Sequence, residues 1–346
     1  MLLIALSPPT REPAVIVVKM LGIVLASLSS GGGELSFLGL THYYGGFSLA
    51  SWGSGTGGAG LVGAGAYAIA TTSMGLSVQT TLLASAVLPV IMLLSFFVLL
   101  PLGPLKATRR KEQAYTRVPS DETLLPDPED TTSYHGRDPS PSRSTSPAYA
   151  STTTSKLHQT LHSLRTNLAR SRRLIFPYML PLFLVYLAEY SFNQGVLPVT
   201  LFPLPQTPFH NYRSFYPTYS ALYQLGVFIS RSSLPFIRIR SLYIPTFLQV
   251  ANFSLLTLHA LFPILPNVWV VFAVVFWEGL LGGLVYVSTF AAVREEVPEG
   301  EREFSLGAVT VSDSAGICLA GFVGMGLETF LCEWQKARGR GWCGML

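Results

Sequence analysis

An apolar run over residues 175–198 constrains the fold of this chain more than any other feature. A helix of that length crosses the roughly 30 Å hydrocarbon core of a bilayer. Near its middle the run carries Glu189, followed by Asn193 and Gln194, and a spacing of four places the first two on one helix face. A carboxylate at this depth costs about 2.5 kcal/mol or more to insert, so such residues face a bundle interior or a water-filled path. The run therefore predicts a membrane protein with polar groups on an internal path.

The composition and the hydropathy pattern extend this prediction to the whole chain. Charged residues make up 12% of the 346 positions, about half the usual share of a soluble domain, and mean hydropathy is +0.42. Eight apolar runs are long enough to span a bilayer, at residues 15–40, 53–72, 82–102, 175–198, 219–237, 242–262, 268–290 and 304–331. They predict an all-α polytopic membrane protein, a major-facilitator-like helical bundle with a partial first lobe.

The runs divide the chain into four segments. Residues 1–105 are predicted to form a partial N-terminal transmembrane lobe of about three helices, and residues 174–332 a C-terminal lobe of about five. Between them, residues 106–173 are rich in Ser, Thr and Pro, which predicts a disordered linker. Its 12 Lys and Arg place the linker in the cytosol. Alternation of spans then puts the loop at 201–217 and the basic tail at 333–346 on the lumenal side.

Four carboxylates lie within or beside the predicted spans, and together they predict a substrate or proton path. Glu34 follows Gly31–Gly33, where the glycines either break the helix around a bound ligand or leave an interfacial Glu near a helix end. Glu189 and Glu278 lie mid-span, the latter beside three glycines, and Asp313 also lies at membrane depth. The acids are predicted to form a proton relay or to neutralise a cationic substrate, against a structural role in interhelical hydrogen bonding.

Arg231 lies near the end of its span and has two interpretations. It is a cytosolic anchor that snorkels to the interface, or it contacts an anionic group of a substrate. The segment at residues 53–58 formally matches G-x-G-x-x-G, but it opens a membrane span rather than a βαβ unit. Its glycines therefore predict close helix packing and not nucleotide binding.

Other function classes find no support in the sequence. It contains no zincin, nucleophile-elbow or P-loop motif, so we expect neither an enzyme nor a resident metal or cofactor. Three cysteines are too few and too C-terminal for a disulfide framework or a metal site. The net charge of +4 reflects Lys and Arg in loops and does not indicate a nucleic-acid partner.

Two short motifs concern cellular address. Leu124 and Leu125 follow acidic residues in the linker and resemble a dileucine sorting signal for trafficking adaptors, although a chance Leu-Leu pair is the simpler interpretation. Cys343 begins a C-a-a-X form that favours geranylgeranylation. A tail on the lumenal side is out of reach of prenyltransferases, so either one span is re-entrant or the C-a-a-X match is accidental.

Several blocks of the sequence, taken together, resemble the battenin family of vacuolar and lysosomal membrane proteins, in its fungal Btn form. They are residues 25–30 with Glu34 and Thr41, residues 51–60, 186–195, 223–233 and 278–283, and residues 302–304 with Ser312 and Asp313. The blocks run in family order over nearly all of the chain outside the linker. The family's first three or so helices have no counterpart, so we expect an N-terminal truncation.

The resemblance implies a multi-pass protein of the vacuolar membrane that transports basic amino acids such as arginine and maintains vacuolar pH. Its expected partners are membrane lipid, a small-molecule substrate, protons and trafficking adaptors that bind the linker. On this reading the path is lined by Glu34, Glu189, Asn193, Gln194, Glu278 and Asp313. The alternative is a non-transporting membrane scaffold that regulates trafficking or the vacuolar proton pump.

Overall fold

The structure, a computed structural model, describes residues 4, 6–7, 12–101, 103–104, 106 and 165–345. Most of the predicted linker, including Leu124 and Leu125, lies outside these residues. The described part is built of helices and their connections, and six of its helices are long and apolar enough to cross a membrane. The prediction of an all-α polytopic membrane protein is confirmed.

The helices of the described part follow the predicted spans closely. The α-helices are α1 (Pro13–Leu40), α2 (Ser48–Ala68), α3 (Val78–Ser85), α4 (Leu88–Leu94), α5 (Leu180–Ser191), α6 (Phe215–Ser232), α7 (Tyr243–Leu261), α8 (Val268–Glu296) and α9 (Glu299–Lys336). Wider π-helical turns occupy Ile69–Ser73, Ser95–Leu99, Ile175–Met179 and Phe192–Val196, and short 3₁₀ turns occupy Thr41–Tyr43, Leu197–Val199, Leu204–Gln206, Tyr212–Ser214 and Gly341–Met345.

Six of the eight predicted spans coincide with helices that are long and apolar enough to cross a membrane. These helices are Pro13–Tyr43, Val78–Leu99, Arg165–Val199, Tyr243–Leu261, Val268–Glu296 and Glu299–Lys336. The other two predicted spans coincide with α2 and α6, which are helical but less apolar. The span count of eight therefore stays a prediction.

Helix α8 lies at the centre of the fold, and glycines let α6 approach its backbone. A Cβ at Gly279 would overlap the carbonyl oxygen of Tyr223 on α6, and a Cβ at Gly226 would overlap that of Phe276 on α8. Small residues permit this close contact between membrane helices. The approach brings the polar side chains of α6 and α8 into one interior.

The glycine-rich segment of α2 packs on this pair, as the sequence predicts. A Cβ at Gly57 would lie 3.0 Å from the Cα of Phe228 on α6, and one at Gly53 would lie 2.8 Å from Cγ1 of Val287 on α8. At Gly63, further along α2, nothing lies within 4 Å. The prediction of close packing is confirmed for the first half of the segment, which joins the N-terminal helices to the C-terminal ones.

The C-terminal tail covers the end of α7. Gln335 Nε2 donates to the main-chain oxygens of Val199 at 3.1 Å and Ala260 at 2.9 Å, and Arg340 Nη2 donates to that of Leu261 at 2.6 Å. A helix leaves its last carbonyls without partners of its own, and a cation there also interacts favourably with the helix dipole. The tail thus completes the hydrogen bonding of α7.

The tail also corrects the predicted chemistry of the cysteines. Cys343 forms a disulfide with Cys332, eleven residues earlier, so one disulfide forms although the sequence predicts no disulfide framework. A sulfur atom in a disulfide cannot carry a prenyl group, and the predicted lipidation of Cys343 therefore conflicts with the structure. Trp342 stacks on Tyr212 at 6.3 Å between ring centroids, which places the tail at the same end of the bundle as the loop predicted to be lumenal.

Candidate functional site

A cavity of about 1070 Å³ lies between the N-terminal helices α1 and α2 and the C-terminal helices α5 and α6. Small side chains of α1 and α2 form much of its wall, and Trp52, Tyr186 and Tyr190 supply aromatic surface. The ionisable groups of its lining carry opposite charges, Glu34 from α1 and Arg231 from α6. Pockets for small molecules commonly combine apolar walls with a few placed polar groups, and this cavity has that form.

Glu34 reaches the cavity from an unbroken helix. Helix α1 runs through Gly31–Gly33 without interruption, so the prediction that these glycines break the helix is wrong. A continuous helix satisfies the backbone within the membrane, where no water replaces lost hydrogen bonds. The alternative of a Glu near a helix end agrees with the end of α1 at Leu40, and Tyr286 Oη of α8 donates to Glu34 Oε1 at 2.7 Å. Glu34 is therefore tied to the centre of the bundle.

Arg231 also points inward. Its Nη1 donates to Thr56 Oγ1 at 2.9 Å and its Nη2 to Tyr186 Oη at 3.1 Å, while Cζ lies 4.0 Å from the ring centroid of Tyr286. The snorkelling interpretation is wrong, because hydroxyl acceptors and an aromatic face hold the guanidinium inside the bundle. The Nε atom is buried and has no hydrogen-bond partner.

Glu189 lies behind the cavity rather than on its wall. Its side chain is 3% exposed, and one carboxylate oxygen accepts a hydrogen bond from Tyr223 Oη of α6. The carboxylate packs on Gly282 of α8, where a Cβ would overlap it, and its second oxygen has no partner. Arg231 attracts this carboxylate electrostatically, so the cation of the cavity also faces the acid behind it.

The two amide side chains that follow Glu189 make no described hydrogen bond to its carboxylate. Asn193 Nδ2 donates to the main-chain oxygen of Glu189 at 2.9 Å and so serves the backbone. Gln194, five residues after Glu189, leaves the face that the other two share and is exposed beside Gly324 of α9. Neither amide lines the cavity, and the place of Gln194 on an internal path stays a prediction.

The two remaining predicted acids are buried in different places. Glu278 of α8 is 0% exposed and accepts a hydrogen bond from Gln249 Nε2 of α7 at 2.7 Å. Asp313 of α9 is 1% exposed and accepts one from Ser314 Oγ at 3.2 Å. Each carboxylate keeps one oxygen without a partner. Neither lines the cavity, although Asp313 interacts electrostatically with Glu34.

Sequence reasoning misses the residues that hold these acids in place. Tyr286 links Glu34 to Trp52, whose Nε1 donates to the tyrosine hydroxyl at 3.0 Å, and Tyr223 and Gln249 each bind a buried acid. Their hydroxyl and amide groups within apolar spans are a usable signal, because buried polar atoms require partners. Which partner each one finds depends on helix packing and cannot be read from spacing.

Comparisons with known proteins find similar sequences along almost the whole chain. A family model described as CLN3 protein matches residues 1–334. Similar proteins include Protein btn1 of Aspergillus fumigatus, 56% identical over 99% of this chain and 74% of that protein, and Protein btn-1 of Neurospora crassa, 56% identical over 99% and 75%. Protein BTN1 of Saccharomyces cerevisiae is 42% identical over 95% of this chain and 78% of that protein. No solved structure matches the chain.

Proposed function

The chain belongs to the CLN3, or battenin, family of membrane proteins, and from this premise we propose that it is a secondary transporter of the vacuolar, lysosome-like membrane. It moves basic amino acids such as arginine, in exchange with or together with protons, and so contributes to vacuolar pH homeostasis. The observation that carries the proposal is the cavity of about 1070 Å³ with a carboxylate and a guanidinium in its wall.

These charges suit a substrate that carries both signs. The α-carboxylate of an amino acid pairs with the guanidinium of Arg231, and a cationic side chain lies against Glu34. Trp52 and the tyrosines present aromatic faces on which a guanidinium stacks. A basic amino acid thus meets a complementary group at each end.

In alternating access the N-terminal helices α1 and α2 separate from the C-terminal helices, and hydrogen bonds of the cavity residues join these two halves. The bonds from Arg231 to Thr56 and from Tyr286 to Glu34 connect C-terminal helices to α2 and α1. A substrate that occupies Arg231 and Glu34 competes for these bonds and loosens the contact between the halves. Glu189, which faces Arg231 from behind, carries the proton as access changes.

The test is uptake of radiolabelled arginine by phosphatidylcholine proteoliposomes that contain the purified full chain, with and without an imposed pH gradient. We expect Glu34→Gln and Arg231→Lys to lower uptake at least tenfold, because the latter loses the planar donor geometry. Glu189→Gln should abolish the dependence on the pH gradient. Glu299→Gln is the matched control, since the Glu299 side chain is 85% exposed and far in sequence from the cavity residues.

Arginine uptake that does not exceed that of empty vesicles would overturn the proposal. A regulator acting through the linker predicts the reverse pattern in cells. Deleting residues 107–164 would then abolish the effect on vacuolar pH, while Arg231→Lys would leave it intact.

A further inference from the structure

We propose that Glu278 and Gln249 form a buried proton-binding site, separate from the cavity, in which Glu278 is held as a neutral carboxylic acid. The site lies between α7 and α8, and both side chains are 0% exposed. The proposal goes beyond transport and does not depend on which substrate the protein carries.

The hydrogen-bond inventory of the pair requires one more donor. Gln249 Nε2 donates to Glu278 Oε1 at 2.7 Å, which leaves Glu278 Oε2 and Gln249 Oε1 without partners. An amide oxygen and an ionised carboxylate oxygen are both acceptors, so they cannot satisfy each other. Asn252 Nδ2 is also unpartnered and lies where it can donate to Glu278, which still leaves Gln249 Oε1 without a donor. One proton on Glu278 Oε2 turns that atom into a donor toward Gln249 Oε1. The acid and the amide then close a ring of two hydrogen bonds, and both buried oxygens are satisfied.

The charges around Glu278 also favour the neutral form. Glu189 of α5 packs on Gly282, one helical turn or about 6 Å along α8 from Glu278, so the charged group facing it is negative. Tyr223 of α6 donates to Glu189 and not to Glu278. Asn252 of α7 opposes the neutral form as an amide donor beside Glu278, but it carries no charge to balance an ionised carboxylate. In the described part of the chain, the ion pairs formed by Lys and Arg do not include Glu278.

Arg231 compensates only one of the two acids. It attracts Glu189, which also accepts the tyrosine hydroxyl, whereas an ionised Glu278 would be a second buried negative charge without a counterion. When two carboxylates are buried near each other, protonation of one of them removes the repulsion between their charges. Of the two acids, Glu278 is therefore the one that has no cation to balance its charge and needs the proton to remain buried.

A metal cation fits this site less well than a proton. The unpartnered oxygens that face it are those of Glu278, Gln249 and Glu189, which is about half of the six or more oxygen ligands that a hard cation takes. In the residues that the structure describes, no group of three His, Cys, Asp or Glu side chains could hold a metal ion. A proton satisfies the same atoms without further ligands.

The test is infrared spectroscopy of the purified full chain in phosphatidylcholine nanodiscs, recorded in H₂O and in D₂O. A protonated carboxyl group gives a C=O stretching band that shifts in D₂O, and we expect Glu278→Gln to remove the band of one such group per chain. The substituted amide keeps the size of the acid and the two-bond ring with Gln249. Glu299→Gln is the matched control and should leave the band in place, because the Glu299 carboxylate is 85% exposed and solvated. A band of unchanged intensity in Glu278→Gln, or the absence of such a band from the unsubstituted protein, overturns the proposal.

A second variant leaves Glu278 itself unchanged. Gln249→Met removes the amide acceptor, so the C=O band of Glu278 should move to higher frequency as its hydrogen bond is lost. An unmoved band overturns the proposed pair. Replacing choline by Na⁺ in the buffer should change nothing, and loss of the acid band in Na⁺ would instead identify a monovalent-cation site.

Discussion

The cavity and the interior behind it contain the same kinds of side chain in opposite states of hydrogen bonding. Around the cavity, Glu34, Tyr286 and Arg231 exchange hydrogen bonds between the N-terminal and C-terminal helices. Behind it, Glu189 and Glu278 are sealed from solvent and each keeps one oxygen without a partner. Both groups lie within membrane-spanning or neighbouring helices, so their helices alone do not separate them. Access to the cavity does, and our proposals accordingly give substrate contact to the first group and buried protons to the second.

The largest effect should come from Arg231, because it lines the cavity and also attracts Glu189 behind it. Arg231→Met leaves Glu189 without its cation, and removing one partner of a buried pair costs about 3 kcal/mol. We expect a markedly lower midpoint of thermal unfolding in detergent. Adding Glu189→Gln to this variant should recover most of the loss. If the double variant is as unstable as the single one, the two groups are not electrostatically linked.

Gly282→Ala tests the interior alone. Its Cβ would overlap the Glu189 carboxylate, and overpacking of this kind costs about 2 kcal/mol. Gly63→Ala is the control, since nothing lies within 4 Å of a Cβ at that position. Thermal unfolding of the two variants compares them directly. Equal stability would mean that Glu189 moves aside without cost.

Tyr286→Phe tests the cavity alone. The substitution removes a hydroxyl that donates to Glu34 and accepts from Trp52, and hydrogen bonds to charged groups contribute about 1.5 kcal/mol. The aromatic ring under Arg231 remains, so the change isolates the bond between α1 and α8. We expect faster hydrogen exchange in α1 and unchanged exchange in α7. If protection from hydrogen exchange fell equally in α1 and α7, the residues around the cavity would not be independent of the buried acids behind it.

Asn193→Ala should have the smallest effect. Its amide donates to a main-chain oxygen and touches neither group of acids, and such bonds within membrane helices contribute about 0.6 kcal/mol. Arginine uptake and its pH dependence should match those of the unsubstituted chain. A strong loss of uptake would return Asn193 to the transport path, where the sequence places it.

Sequence patterns identify the helices well because hydropathy acts over whole segments. Apolar runs mark the spans, and the glycines of α2 indicate the close contact that Gly53 and Gly57 make. The site is harder to predict, since the direction of each side chain depends on the neighbouring helix. Arg231 lies near a helix end in sequence but turns inward because Thr56 and Tyr186 are there to accept its hydrogen bonds. No local pattern contains that information.

The tail that covers α7 has a consequence for the order in which the protein is made. Gln335 and Arg340 donate to carbonyl groups of residues 75 and 79 positions earlier in the chain. At a synthesis rate of about 5–20 residues per second, the end of α7 is synthesised roughly 4–16 s before those donors are. During that interval water or the insertion machinery must hold its carbonyls. The last carbonyl groups of α7 therefore gain their protein partners only after the C-terminal residues have been made. A ribosome that stalls before Gln335 leaves those carbonyls without these partners.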